Sequence, residues 1–211
     1  FQSISVKNLL WGIFIGIIIV MVAYNFFIYL FTRDRSYIYY VLYVSFIGLT
    51  QTTLSGYTYH FLFPGTPLLF QKSIIIFPAL AGISAMLFVR VFLETKHRTP
   101  ILHKIFTIAI ILYSSAIVFR LAGIDQVSYR MIDISAIFTT ILIYAVAVKI
   151  SLQGDKHARY FLIAWTIFFA GILMFTLRNL GVLPYNDFTN YTMELGIAIE
   201  VTLLSIALAD R

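Results

Sequence analysis

Residues 9–31 read LLWGIFIGIIIVMVAYNFFIYLF, without one charged side chain. A helix rises about 1.5 Å per residue, and about 20 mostly apolar residues cross the hydrocarbon core of a bilayer. The stretch is long enough, and apolar enough, to span a membrane. Six further stretches meet the same demand, at about 37–54, 68–93, 101–121, 131–152, 158–180 and 189–209. The expected fold is therefore all-α and integral to the membrane, a bundle of seven transmembrane helices read as one domain over 1–211. The breaks are short and hold turn or capping residues such as Asp34, Gly65, Pro100, Gly154 and Pro184, so sequence neighbours should pack antiparallel.

Composition agrees. Of the 211 residues, 61% are hydrophobic and 11% charged, whereas a soluble domain carries about 25% charged residues. Too few charges remain to clothe a water-facing surface, so lipid is the expected partner of most of the exterior. The formal net charge is +6, but the basic residues are dispersed at helix ends rather than gathered in a patch, so no nucleic-acid partner is expected. There is no cysteine, which removes disulfides, thiolate metal sites and cysteine nucleophiles.

The distribution of cations gives a direction. Arg33, Arg35, Lys96, Arg98, Lys104, Lys156, Arg159 and Arg211 fall in the first, third and fifth connections and at the C-terminus. The N-terminus and the remaining connections hold Lys7 and Arg130. Eight against two places the N-terminus outside and the C-terminus in the cytoplasm. The chain starts at Phe1 rather than methionine and stops at Ala209-Asp210-Arg211; it reads as a piece of a longer protein.

Ionisable groups within a span are costly and each needs a reason. Arg90 and Lys149 lie near cytoplasmic helix ends, where long stems snorkel to the headgroups. Lys72, Arg120, Asp133, Arg178 and Glu194 all come at similar depth near the outer ends of five helices. Facing one another, they would line a polar, ligand-binding cavity open to the outside; otherwise they are snorkelling or locally paired groups, as Arg130 and Asp133 could be at i,i+3. Glu200 is too deep in the last span to reach water on its short stem. It is either a structural hydrogen-bonding group between helices or part of a switch. Gly196, one turn before it, allows a neighbouring helix close approach. Asn25, at mid-depth in the first span, is of the type that ties helices together. Gly12 and Gly16 form a GxxxG pair in that span.

Catalytic patterns are missing. His60, His97, His103 and His157 are scattered without metal-ligand spacing, and there is neither a glycine-rich phosphate loop nor an HExxH motif. No enzyme activity, cofactor or metal is expected. The seventh span lacks the lysine of a retinal protein, and the Asp-Arg-Tyr and Asn-Pro-x-x-Tyr motifs of G-protein-coupled receptors are absent.

Three stretches in combination carry a resemblance. They are Gly12-x-x-x-Gly16 with Tyr24-Asn25-Phe26 and Arg33-Asp34-Arg35-Ser36-Tyr37-x-Tyr39-Tyr40; Ala158-Arg159-Tyr160-Phe161-x-x-Ala164-Trp165; and Gly196-x-x-x-Glu200 running into Leu204-Ser205-x-Ala207-Leu208-Ala209-Asp210-Arg211. Essentially the whole chain resembles the seven-helix domain of bacterial receptors with diverse intracellular signalling modules (7TMR-DISM). The resemblance implies a sensory, signal-transducing domain in a bacterial inner membrane. It implies a covalently linked extracytoplasmic sensory domain, and a cytoplasmic output module (histidine kinase, cyclase or phosphatase) after the last helix. A homodimer is implied because such modules work as pairs. The competing readings are a small-solute transporter and a passive anchor that dimerises its neighbours.

Overall fold

A computed structural model describes residues 2–184, 186 and 191–211. The expected start of the last span at Thr189 lies outside the described residues, as does the side chain of Lys7. Among the described residues the chain is helical throughout, with no strand. Seven long helices are joined by short turns and two one-turn helices. They are α1 (Gln2–Thr32), α2 (Arg35–Leu54), the short α3 (Tyr57–Phe61), α4 (Pro67–Phe92), the short α5 (Thr95–Arg98), α6 (Pro100–Leu121), α7 (Asp125–Leu152), α8 (Lys156–Asn179) and α9 (Thr192–Ala209).

Local chemistry sets several boundaries. Asp34 caps α2 by accepting the Ser36 N–H at 2.8 Å, and Asp155 caps α8 by accepting the Ala158 N–H at 2.9 Å. Pro67 and Pro100 open α4 and α6, where a missing N–H costs nothing. Gly154 turns the chain before α8 at φ +90°, a backbone conformation that other residues adopt at a cost.

The long helices close into a ring in chain order. Each packs on the next, and α9 returns to α1; α2 also touches α9 and α4 touches α7 across the ring. Six of the seven are both long and apolar enough to cross a bilayer. The exception is α2, whose tyrosines, threonines and Gln51 lower its apolarity although its 20 residues span about 30 Å. Most of those side chains do not meet lipid: Tyr37, Tyr40, Tyr43, Thr50, Gln51 and Thr53 are buried, and Tyr39 and Thr52 half-buried. By contrast α1 keeps large side chains such as Ile13, Ile19 and Phe27 exposed. The polar helix lies inside the ring's packing and the apolar one faces outward, an arrangement that suits hydrocarbon as solvent. The chain is a multi-pass membrane protein built as a seven-helix bundle.

An aromatic core begins near the end where α9 finishes, called the exit end below. Phe88, Phe92, Phe161 and Trp165 form a continuous aromatic stack there, with ring centroids 5.2 to 5.9 Å apart.

Candidate functional site

The C-terminal helix α9 is fastened to α1 and α2 by side-chain hydrogen bonds. Tyr37, Tyr40 and Tyr43 follow at i, i+3 and i+6, which puts them on one face of α2. All three hydroxyls donate to α9. Tyr43 donates to the Glu200 carboxyl, 2.7 Å from Oε1 and 2.9 Å from Oε2. Tyr40 donates to the Val201 carbonyl, and Tyr37 to the Leu208 carbonyl at 3.1 Å. From α1, Asn25 Nδ2 donates to Ser205 Oγ at 2.8 Å, and Ser205 Oγ lies 3.2 Å from Asn25 Oδ1 as donor in return. Asn25 also donates to its own helix, at the Met21 carbonyl. Asn25 and Glu200 are fully buried, so each lost partner would leave a stranded polar group, costing about 1–3 kcal/mol.

On its other side α9 meets α8 almost backbone to backbone. A Cβ added at Gly171 would lie 2.6 Å from the Thr192 carbonyl oxygen, closer than real side chains come. One added at Gly196 would find the Gly171 Cα at 3.5 Å, an ordinary contact. Close approach at Gly196 was foreseen from sequence, but the position that tolerates no side chain is its partner, Gly171.

At the exit end the last residues are gripped. Arg211 Nη1 donates to Ser36 Oγ at 2.7 Å, and Nη2 lies 3.1 Å from Glu94 Oε1. His157 Nε2 donates to the Asp210 carbonyl at 3.1 Å. Arg98 joins this group through Asp155, with Nη1 to Oδ2 at 2.7 Å, and more weakly through Glu94 at 3.7 Å. Partial burial pushes the Asp155 carboxyl up, but the Ala158 N–H, Arg98 and His157 outweigh it and hold it below its ordinary value. Arg90 is also partnered rather than only snorkelling. It donates to His103 Nε2 at 2.7 Å, which leaves the His103 proton on Nδ1, 2.8 Å from the Thr95 hydroxyl. Lys149 is exposed.

At the opposite end, a cavity of about 410 Å³ opens between α1, α2, α8 and α9, with Gln51, Tyr57, Thr176 and Glu194 in its lining. Glu194 Oε2 is buried there with no hydrogen-bond partner among the described residues. Of the five charges expected to share one cavity, Glu194 lines this one and Arg178 lies near enough to act on its charge; Lys72, Arg120 and Asp133 do not line it. Arg178 lies over the Phe175 ring, 4.6 Å from its centroid, and Phe175 belongs to the lining. Arg120 is buried and spent elsewhere: Nη1 pairs with Asp125 at 2.6 Å and Nη2 donates to the Gln71 carbonyl at 2.5 Å. It locks the α6–α7 turn to α4. Asp133 is exposed and Lys72 half-buried. The single five-charge cavity is thus corrected to a site around Glu194, because Arg120 finds an acid five residues away rather than across the bundle.

No group of three or more metal-ligating side chains occurs among the described residues. The quoted stretches supply part of this clasp: Asn25, Tyr37 and Tyr40 from the first reach α9, and Glu200 and Ser205 from the third are their counterparts on it, with Tyr43 joining from outside them. Residues 7–211 match the family described as 7TM diverse intracellular signalling. The chain belongs to that family. No curated protein and no solved structure matches it. In this member of the 7TM diverse intracellular signalling family, the clasp ties the last helix to α1 and α2 through Asn25, Tyr37, Tyr40 and Tyr43. Tyr43 and Gly171 were missed from sequence: a tyrosine in an aromatic-rich span carries no mark of its partner, and a lone glycine none of its neighbour.

Proposed function

We propose that this chain is the transmembrane signal-transducing domain of a bacterial receptor, seated in the inner membrane with its N-terminus outside and its C-terminus in the cytoplasm. A stimulus arriving outside, from a ligand or an attached extracytoplasmic sensory domain, shifts the bundle between two arrangements. The α9 helix carries the shift to a covalently linked output module beyond Arg211, which works as a dimer. The observation that supports this reading best is the clasp. The helix that would carry the signal is held by a small set of discrete buried hydrogen bonds, from Tyr37, Tyr40, Tyr43 and Asn25. Such contacts are made or broken as units, unlike the graded packing of aliphatic side chains.

A stimulus moves the equilibrium only by its differential affinity for the two arrangements. A tenfold bias needs about 1.4 kcal/mol, on the scale of one or two such bonds. The excess of cations at the exit end supports the orientation.

The test is the output of the full-length receptor carrying Tyr43→Phe, with Glu200→Gln alongside. Both are expected to change basal output at least threefold while the protein reaches the membrane in normal amount. Output unchanged in both would reject the relay. A transporter instead requires directional, Glu200-dependent solute flux in proteoliposomes. A passive anchor predicts that an unrelated bundle put in its place leaves output control intact.

A further inference from the structure

Beyond Gln51, the space at the opposite end continues inward. A second cavity of about 260 Å³ lies inside the ring, lined from α2, α4, α6, α7, α8 and α9 by residues including Gln51, Ala85, Tyr113, Thr139 and Trp165. It shares Gln51, Ile172 and Met193 with the outer cavity, so the two meet at those side chains. None of its lining residues is charged.

Its polar groups are unevenly spent. Thr50, Thr139 and Thr140 donate their hydroxyls to carbonyls of their own helices. Tyr113 pairs with Thr139 at 3.0 Å. Gln51 and Trp165 are different. Both are more than nine-tenths buried, and neither Gln51 Nε2 nor Trp165 Nε1 has a hydrogen-bond partner among the described residues. Two residues that line an uncharged, mainly apolar cavity and each hold an unspent N–H donor form an uncommon combination, because buried donors are nearly always paired.

We infer that this inner cavity is a ligand site for a small, uncharged, mostly apolar molecule bearing a carbonyl-type acceptor, which receives hydrogen bonds from Gln51 and Trp165. The absence of charge in the lining excludes ions, since an unpaired ion in such a place costs far more than one hydrogen bond returns. The size is bounded as well. The space exceeds the roughly 150 Å³ cavity that admits benzene and falls just below the about 300–1,000 Å³ of drug-sized pockets. An occupant would bear on the clasp directly. The Trp165 ring stacks on Tyr43, 6.5 Å between centroids, and Tyr43 is the residue that holds Glu200.

This inference deepens the receptor reading by naming a ligand class, yet its test needs no output module. The purified chain in lipid nanodiscs is irradiated with benzophenone, a neutral diaryl ketone whose excited carbonyl inserts into nearby C–H bonds, and the adducts are mapped by mass spectrometry. Adducts are expected on Met86 and Met193, both in the lining. Gln51→Leu and Trp165→Phe should each lower that labelling about fivefold at sub-saturating probe, the loss of one hydrogen bond. Ala136→Phe, at the exposed rim of the cavity, should block it without disturbing the buried core. The carboxylate analogue 4-benzoylbenzoate should label at least tenfold less. Adducts scattered over outward positions such as Ile13 and Ile137, or cavity labelling unmoved by Gln51→Leu and Trp165→Phe, would overturn the site. Equal labelling by the carboxylate would overturn its preference for a neutral ligand. If labelling fails while Tyr43→Phe still alters receptor output, the relay stands and the ligand site falls.

Discussion

The two ends of the bundle handle buried polarity in opposite ways. Toward the exit end, Asn25, Glu200, Ser205, Tyr37, Tyr40 and Tyr43 all have partners, and Arg98, Asp155, Glu94 and Arg211 form a continuous group. Toward the other end, Gln51 and Glu194 each keep a buried atom with no partner among the described residues, beside a cavity, and Trp165 does so midway between the ends. One end is closed by satisfied hydrogen bonds and aromatic packing, and the other is left open and unsatisfied. A molecule that must bind at one end and report at the other needs both kinds of construction. On the receptor reading proposed above, the satisfied end would make the report discrete, and the unsatisfied end would give an occupant something to complete.

Stability measurements should therefore change sign from one end to the other. The largest effect is expected for Tyr43→Phe, which strands the Glu200 carboxyl in the core. Reversible unfolding in mixed micelles should show a loss of about 2 kcal/mol, within the range for an orphaned buried polar group. A smaller change of opposite sign is expected for Gln51→Leu. It replaces an unpartnered amide with an apolar group of similar size, and should stabilise the bundle by about 1 kcal/mol. If both variants destabilised equally, the contrast between the ends would be lost.

The first helix and the charge asymmetry were readable because lipid imposes simple rules: about 20 apolar residues, and cations to one side. The helix α2 was readable by length, but its apolarity falls short of the other six. Its polar side chains are paid for by burial against α4 and α9, which a one-dimensional pattern does not record. Glu200 and Asn25 could be singled out because a polar group at that depth requires a partner. The partners themselves could not, for Tyr43 lies 157 positions from Glu200 and Ser205 lies 180 from Asn25. Arg120 shows the reverse: its partner Asp125 is near in sequence, at the start of α7, where nothing in the pattern sets it apart from Asp133. Pro78, inside α4 and in the inner cavity's lining, also went unremarked. Its missing N–H takes the usual donor from the Ile74 carbonyl.

The smallest expected effect concerns pH at the exit end. The Asp155 carboxyl is held below its ordinary value when folded. Its contribution to stability is therefore fully present above the unfolded carboxylate value and is lost as pH falls through the folded one. Asp155→Asn should cost about 1 kcal/mol at neutral pH, since asparagine still caps α8 and mainly the ion pair with Arg98 is lost. The gap from the parent protein should stay constant between pH 6 and 8 and close below about pH 4. A gap that widened on acidification would assign the wrong sign to that carboxyl.

The decisive measurement is a distance. The chain contains no cysteine, so spin labels can be placed at Ile206→Cys on α9 and Leu152→Cys at the end of α7, both exposed positions. Pulsed electron–electron resonance in nanodiscs should give one narrow distance distribution for this pair. With Tyr43→Phe and Asn25→Leu added, that distribution should shift or split, as α9 leaves its clasped position. A folded double variant whose distribution matched the parent would contradict the claim that these hydrogen bonds set where the last helix stands.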